Sequence, residues 1–286
     1  MSLSRRRRAG YTLLELAIVI SIIMVLVGLL LPAVQMAREA SRRSNCSNNL
    51  VQIGVALQTY QLAHRWLPPG VSDAVGPIRS QAQGLHHNWI SQMLPQIEES
   101  NNYGAINFSK SVYATENAPV RALRIDVLRC NSDRKQGPFS NYAGVQHYRE
   151  APIDENNQGV FFLNSRLQDR DVLDGLSTTL FVGEKLIQDG DLGWMSGTRA
   201  TLRNTGVPIN SANPLADLQN APPQLQSSSV PGSPLYVGGF SSNHPGGAQF
   251  AFGDGSTHFL SENMNLRVYT QLAHRADGML LDETSW

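Results

Sequence analysis

His244 stands ten residues before Asp254, with Gly255 next, in the stretch HPGGAQFAFGDG. A histidine and an aspartate could share a metal ion or trade a proton. Two potential ligands do not make a site, and the chain has no H-E-x-x-H and no visible Ser-His-Asp arrangement. The alternation in AQFAFGDGSTHFL instead reads as a hairpin turning at Asp254-Gly255, a favoured tight-turn pair. There Asp254 caps backbone amides and Gly255 supplies a positive φ. His244, with Pro245-Gly246-Gly247, fixes the loop that enters the strand. A structural role is expected for all three, and no catalytic residue is assigned. Asp169, Asp171 and Asp174 are close enough in sequence to suggest an oxygen-rich calcium loop. The D-x-D-x-N-G pattern is missing, so solvated charge is the expectation and no metal or cofactor is assigned.

Cys46 and Cys130 are the only cysteines, too few for a disulfide-dense scaffold and without C-x-x-C spacing. Outside the cytoplasm a disulfide between them is the natural reading; two buried thiols are the alternative.

Glu15 raises a different question. Four residues separate it from a basic border, Arg5 to Arg8 and Ala9-Gly10, and it lies inside an apolar run that continues to Val34. The stretch from Leu13 to Val34 is long enough to cross a bilayer, which needs about 20 residues. A lone carboxylate in hydrocarbon is expensive. Glu15 therefore needs a partner, or the segment is not a plain membrane helix. A secretory signal would place Glu15 in its apolar core, and no clear A-x-A site follows. A single-span anchor explains the length and the arginines but not the carboxylate.

These residues require particular elements. A helix is expected from about Thr12 to His64, closed by Pro68-Pro69-Gly70. Pro32 should kink it by removing a hydrogen bond, with Gly28 weakening it nearby. Leu50, Ile53, Leu57 and Tyr60 fall at spacings of three, four and three, one apolar stripe. Arg38, Glu39, Arg42 and Arg43 form a solvated collar between the two halves. The boundaries read as 1–10 leader, 11–34 transmembrane helix, 35–66 amphipathic stalk and 67–286 globular domain. Within the domain, Ile90 to Glu99 reads as a short helix, and SNYAGVQHY, GVFFL and STTLFVGEKL read as strands. Residues of about 200–236 are rich in Pro, Asn, Gln and Ser, and read as a long surface excursion. The expected class is α+β: a long N-terminal helix packed on a mainly antiparallel sheet, a lollipop.

The 286 residues carry 23 basic and 23 acidic side chains. No overall basic field points to nucleic acid. Four basic residues lie in the first ten, leaving 19 against 23 acidic ones in the remainder. The N-terminal arginines place that end in the cytoplasm by the positive-inside rule, although Arg38, Arg42 and Arg43 make the asymmetry modest.

Gly10-Tyr11-Thr12-Leu13-Leu14-Glu15 resembles the cleavage site of type IV prepilins, with Tyr11 where Phe is commonest. The resemblance implies cutting after Gly10 by a prepilin peptidase and methylation of the new Tyr11 amine. It also implies pairing of Glu15 with the amine of a neighbouring subunit, so that a pair bears the desolvation that a lone charge could not. Thr12 belongs to the same assembly motif. Further segments resemble the bacterial H-x9-DG family of prepilin-like proteins of unknown function. They include LLLPAVQMAREASRRSNCSNNLVQIGVALQTY, LPPG, LRCNSD, SNYAGV, DGLSTTLFVGE and SSNHPGGAQFAFGDGSTHFLSENMN. His244, Asp254 and Gly255 are its signature. The chain departs from that family at Asn131, where proline is usual, at Thr178, where asparagine is frequent, and at Gln249, where asparagine is frequent.

The resemblance implies a structural subunit, pilin-like or pseudopilin-like, in the bacterial inner membrane with its domain on the periplasmic side. Its implied partners are the peptidase and other pilin-like subunits, in a type II secretion or type IV pilus-like apparatus. The alternative is a membrane-tethered module that binds a glycan, a peptide or a secretion substrate through exposed aromatics such as Trp66, Trp89 and Trp194. A hydrolase or metal enzyme built on His244 and Asp254 ranks below both.

Overall fold

The computed structural model describes residues 12–220, 223 and 230–279. Its first element is α1, Leu13–His64, a single helix of 52 residues. Thr12 and Glu15 start it, and Arg65, at φ 70°, closes it by donating its amide to the Gln61 carbonyl. The helix runs through Pro32 without a break. Pro32 has no amide hydrogen for the carbonyl of Gly28, four residues back. Backbone contacts divide the chain into two units, residues 1–42 and 43–286. In the first, Leu13 to Met36 expose their large apolar side chains. Arg42 pairs with Glu39 as expected of a collar. Arg43 departs from that expectation: it belongs to the second unit, half-buried, with its guanidinium over the ring of Phe259.

The second unit is built on a five-stranded sheet. Its strands are β3 (Tyr142–His147), β4 (Leu180–Glu184), β5 (Leu202–Asn204), β6 (Gly247–Phe252) and β7 (Thr257–Ser261), in the order β5-β3-β4-β6-β7. Three pairings are antiparallel, and β3 with β5 is parallel. A two-stranded ribbon, β1 (Val71–Ser72) with β2 (His87–Asn88), leads into α2 (Trp89–Met93) and a 3-10 turn over Leu94–Ile97. Short helices α3 (Ser100–Gly104), α4 (Ala118–Arg121), α5 (Pro214–Asn220) and α6 (Leu266–Ala273) complete it.

Side chains alternate across a strand, and both faces of this sheet are filled. Leu50, Ile53, Leu57 and Tyr60 of α1 share one core with Tyr142, Phe181, Val182 and Ala251. Ala143, Val145, Phe250 and Phe252 share the other with Tyr269 and Leu272 of α6. The stripe read from the sequence is the stripe that is buried.

Two segments differ from their sequence reading. GVFFL is no strand. Val160 and Phe161 both donate to the carbonyl of Val145, and Phe162 accepts from Val71, so the segment is a buried irregular crossing. The polar excursion begins later than residue 200. Leu202–Asn204 is a buried edge strand, and Thr201 to Val207 are buried.

Candidate functional site

The start of α1 is the first place where sequence and geometry meet. Gly10 and Tyr11 lie outside the described residues. Thr12 and Glu15 do not. The Thr12 amide and hydroxyl donate to Glu15 Oε2 at 2.8 and 3.0 Å, and the Glu15 amide donates to the Thr12 hydroxyl at 3.2 Å. This is a capping box, in which two helix-terminal donors are satisfied reciprocally. The T-x-x-E pattern was readable in the sequence, and it gives Glu15 a role within its own helix.

The second place is buried. Cys46 comes from α1 and Cys130 from the loop after a 3-10 turn over Asp126–Leu128; Glu184 ends β4, and His244 lies in the loop before β6. Cys46 and Cys130 are joined in a disulfide with a Cα separation of 5.2 Å. His244 Nε2 lies 3.4 Å from Cys130 Sγ and 3.3 Å from Glu184 Oε1, and its Nδ1 is 3.5 Å from the Ser132 hydroxyl. All four residues are buried. Each is held from behind. The Tyr142 hydroxyl donates to the Cys46 carbonyl, and the Cys130 amide donates to Asn141 Oδ1. The His244 amide donates to the Ser242 hydroxyl. The amide of Gln249 donates to Glu184 Oε2 at 2.8 Å; because this is a backbone bond, the Asn-to-Gln departure at 249 leaves it in place.

His244 and Asp254 are not brought together: they flank β6 at its two ends. Asp254 Oδ1 accepts the amide of Ser256 within the turn, as an Asx cap does. Gly255, at φ +85°, is the turn's left-handed residue. A Cβ added there would come within 2.9 Å of Gln58 on α1. Its Cα also lies 3.5 Å from the position of a Cβ on Gly54. The Asp-Gly end of the signature thus docks the hairpin on α1, and the histidine end closes over the disulfide.

Asp169, Asp171 and Asp174 do not form one loop. Asp169 accepts from Gln61, Asp171 caps a 3-10 turn with Gln168, and Asp174 accepts the amides of Asp277 and Gly278. Asp174 instead neighbours His274 and Asp277. Two of the three tryptophans read as exposed, Trp89 and Trp194, are fully buried. Trp66 is half-buried beneath Arg166, whose guanidinium lies 3.7 Å from the ring centroid.

One buried network carried no sequence signal. Glu150 accepts the amides of Val237 and Gly238 and the side chain of Asn204. Burial pushes its carboxyl up despite these donors. Arg203 donates to the Val237 carbonyl at 2.6 Å. Lys185, pushed down to about 8 by burial, pairs with Asp191. Glu150, Arg203 and Asn204 pin residues 237 and 238 to β5, which leaves them structural.

The motif described as the prokaryotic N-terminal methylation motif matches residues 5–31. Among the described residues, α1 is the one helix long and apolar enough to cross a membrane. The motif marks a prepilin-type substrate of pilus-like or pseudopilus-like systems. Searches of curated proteins and of solved structures return no match. Residues 35–267 match the family described as "Protein of unknown function (DUF1559)", and with most of its length matched the chain belongs to that family.

Proposed function

We propose that the chain is a pilin-like or pseudopilin-like structural subunit, cut by a prepilin peptidase after Gly10 and methylated on the Tyr11 amine. α1 anchors it in the inner membrane with the N-terminus cytoplasmic and the domain on the periplasmic side. The apolar halves of α1 from several subunits bundle, with Glu15 of one facing the Tyr11 amine of the next. This reading assigns the chain no catalysis. The supporting observation is the methylation motif over residues 5–31, placed directly on a helix whose first 24 residues expose their large apolar side chains.

The capping box makes the test sharp. Glu15→Gln keeps a side chain able to cap the helix, whereas Glu15→Ala loses both cap and charge. The expected outcome is that both variants are cleaved normally and both fail to co-isolate with a differently tagged wild-type copy after crosslinking in membranes. If Glu15→Gln co-isolates as well as wild type, Glu15 serves only its own helix.

The tethered binding module is the second reading. A cleft of about 300 Å³ favours it, lined by Trp66, Ser72, Asn164 and Arg166 among others, with an aromatic face and polar groups suited to a glycan. A tethered binder would keep its function in Glu15→Ala.

A further inference from the structure

Four side chains of metal-binding type converge in the buried centre beneath the His244 loop. The sulfurs of Cys46 and Cys130, a nitrogen of His244 and a carboxylate oxygen of Glu184 all lie within 4.8 Å of one another. They come from four separate segments of the chain. Glu184 Oε1 is buried and accepts no hydrogen bond among the described residues, and it faces His244 Nε2. That nitrogen, 3.3 Å away, is its one ion-pair neighbour among the described residues, and a buried carboxylate oxygen is costly unless a donor or a cation serves it. The imidazole turns the same nitrogen, Nε2, toward both the carboxylate and Cys130 Sγ. Its other nitrogen faces Ser132, and Glu184 Oε2 is held by the Gln249 amide. That is the outer support which metal ligands use to fix their orientation.

We propose that the reduced chain binds one zinc-class divalent cation through Cys46, Cys130, His244 and Glu184, so that disulfide and metal are alternative staples between α1 and the Cys130 loop. Two thiolates, an imidazole and a carboxylate make a closed four-coordinate set suited to zinc. At tetrahedral geometry two Zn–S bonds of about 2.3 Å hold the sulfurs about 3.8 Å apart. Breaking the S–S bond lets them part to that spacing while their backbones stay anchored by Tyr142 and Asn141.

The exchange balances. A dithiol reductant gives two electrons and two protons to the disulfide, is itself oxidised to a disulfide, and leaves two protein thiols. The cation then displaces both thiol protons to solvent. The cation keeps its charge, and nothing else is oxidised or reduced. The disulfide ties α1 to the Cys130 loop; the cation ties these two to each other and also to β4 and the loop before β6. A subunit whose disulfide has not yet formed would therefore still have its domain closed.

The test uses the full chain in detergent, reduced with a phosphine, freed of reductant without air, and titrated with cobalt(II). The expected result is one equivalent bound, with thiolate-to-cobalt charge-transfer absorption and intense tetrahedral d–d bands, both displaced by zinc. The oxidised chain should show neither. His244→Ala and Glu184→Gln should each weaken zinc binding more than tenfold in the reduced chain. The wild-type comparison of reduced and oxidised forms stands even if a variant folds poorly. Reduced wild type without the charge-transfer and d–d bands overturns the proposal. So does binding that is equally tight in both folded variants.

Discussion

Leu13 is 87 % exposed, and Arg203 is 1 % exposed. The two mark opposite solutions within one chain. From Leu13 to Met36, α1 presents leucine, isoleucine, valine and methionine outward, and the few polar groups there serve the helix itself, as Thr12 and Glu15 do. From Tyr142 to Phe252 the sheet buries arginine, lysine and glutamate and pairs each within the chain. At 1.5 Å per residue, 24 helical residues extend about 36 Å, enough for a hydrocarbon core of about 30 Å. The first region is complete only in a surrounding of lipid or other helices. The second builds its own core. Substitutions in the first should therefore change what the chain associates with, and substitutions in the second should change whether it folds.

The largest effect on folding is expected at the staple that joins α1 to the domain. The disulfide closes a loop with a sequence separation of 84. In the chain-entropy model such a closure stabilises by roughly 4 to 5 kcal/mol. Cys46→Ala with Cys130→Ala should lower the denaturation midpoint of the domain in metal-free buffer while leaving cleavage of the leader untouched. An unchanged midpoint would show that the domain does not depend on the staple.

A smaller loss is expected at the hairpin. Gly255→Ala meets both a left-handed backbone and the Gln58 side chain. It should cost about 1–2 kcal/mol, read as a shift in the unfolding midpoint with membrane association intact. A substitution there that altered association and spared stability would blur the division between the two regions.

A third effect is expected from protons. Burial pushes the imidazole of His147 down to about 3, with Arg149 adding to the shift, and pushes His86 and His87 down as well. A histidine whose folded pKa lies below its unfolded value of about 6.5 favours the folded state only while neutral. The stability it contributes is present above about pH 6.5 and is lost as the pH falls toward 3. Urea midpoints measured from pH 7 down to pH 4 should therefore decline. The decline should be shallower in His147→Asn, where no imidazole remains to be protonated. Parallel profiles would remove His147 from the account.

The ends of α1 were legible because their signals are local: a basic run, an apolar run and Pro68-Pro69-Gly70. The β6–β7 turn was legible for the same reason, through Asp254-Gly255. GVFFL misled because a buried apolar segment reads as a strand whether or not its amides join a ladder; here they turn to Val145. β5 was hidden because Arg203 and Asn204 look like surface residues until Glu150, more than fifty positions away, is placed beside them. The buried centre was half legible. Cys46, Cys130 and His244 drew notice by type and motif, while Glu184 ends an ordinary strand and acquires its neighbours only when the sheet forms. Glu15 was noticed for its charge, whereas its cap with Thr12 required the T-x-x-E spacing to be read as a helix start.

The central claim is that the N-terminal region is a processed prepilin segment. Intact mass and N-terminal sequencing of the chain from membranes, with and without prepilin peptidase, test it most directly. The account predicts a chain beginning at N-methylated Tyr11 when the peptidase is present and an uncut chain when it is absent. A chain that retains Arg5 to Gly10 in the presence of an active peptidase would contradict it, leaving a plain membrane anchor with a tethered domain.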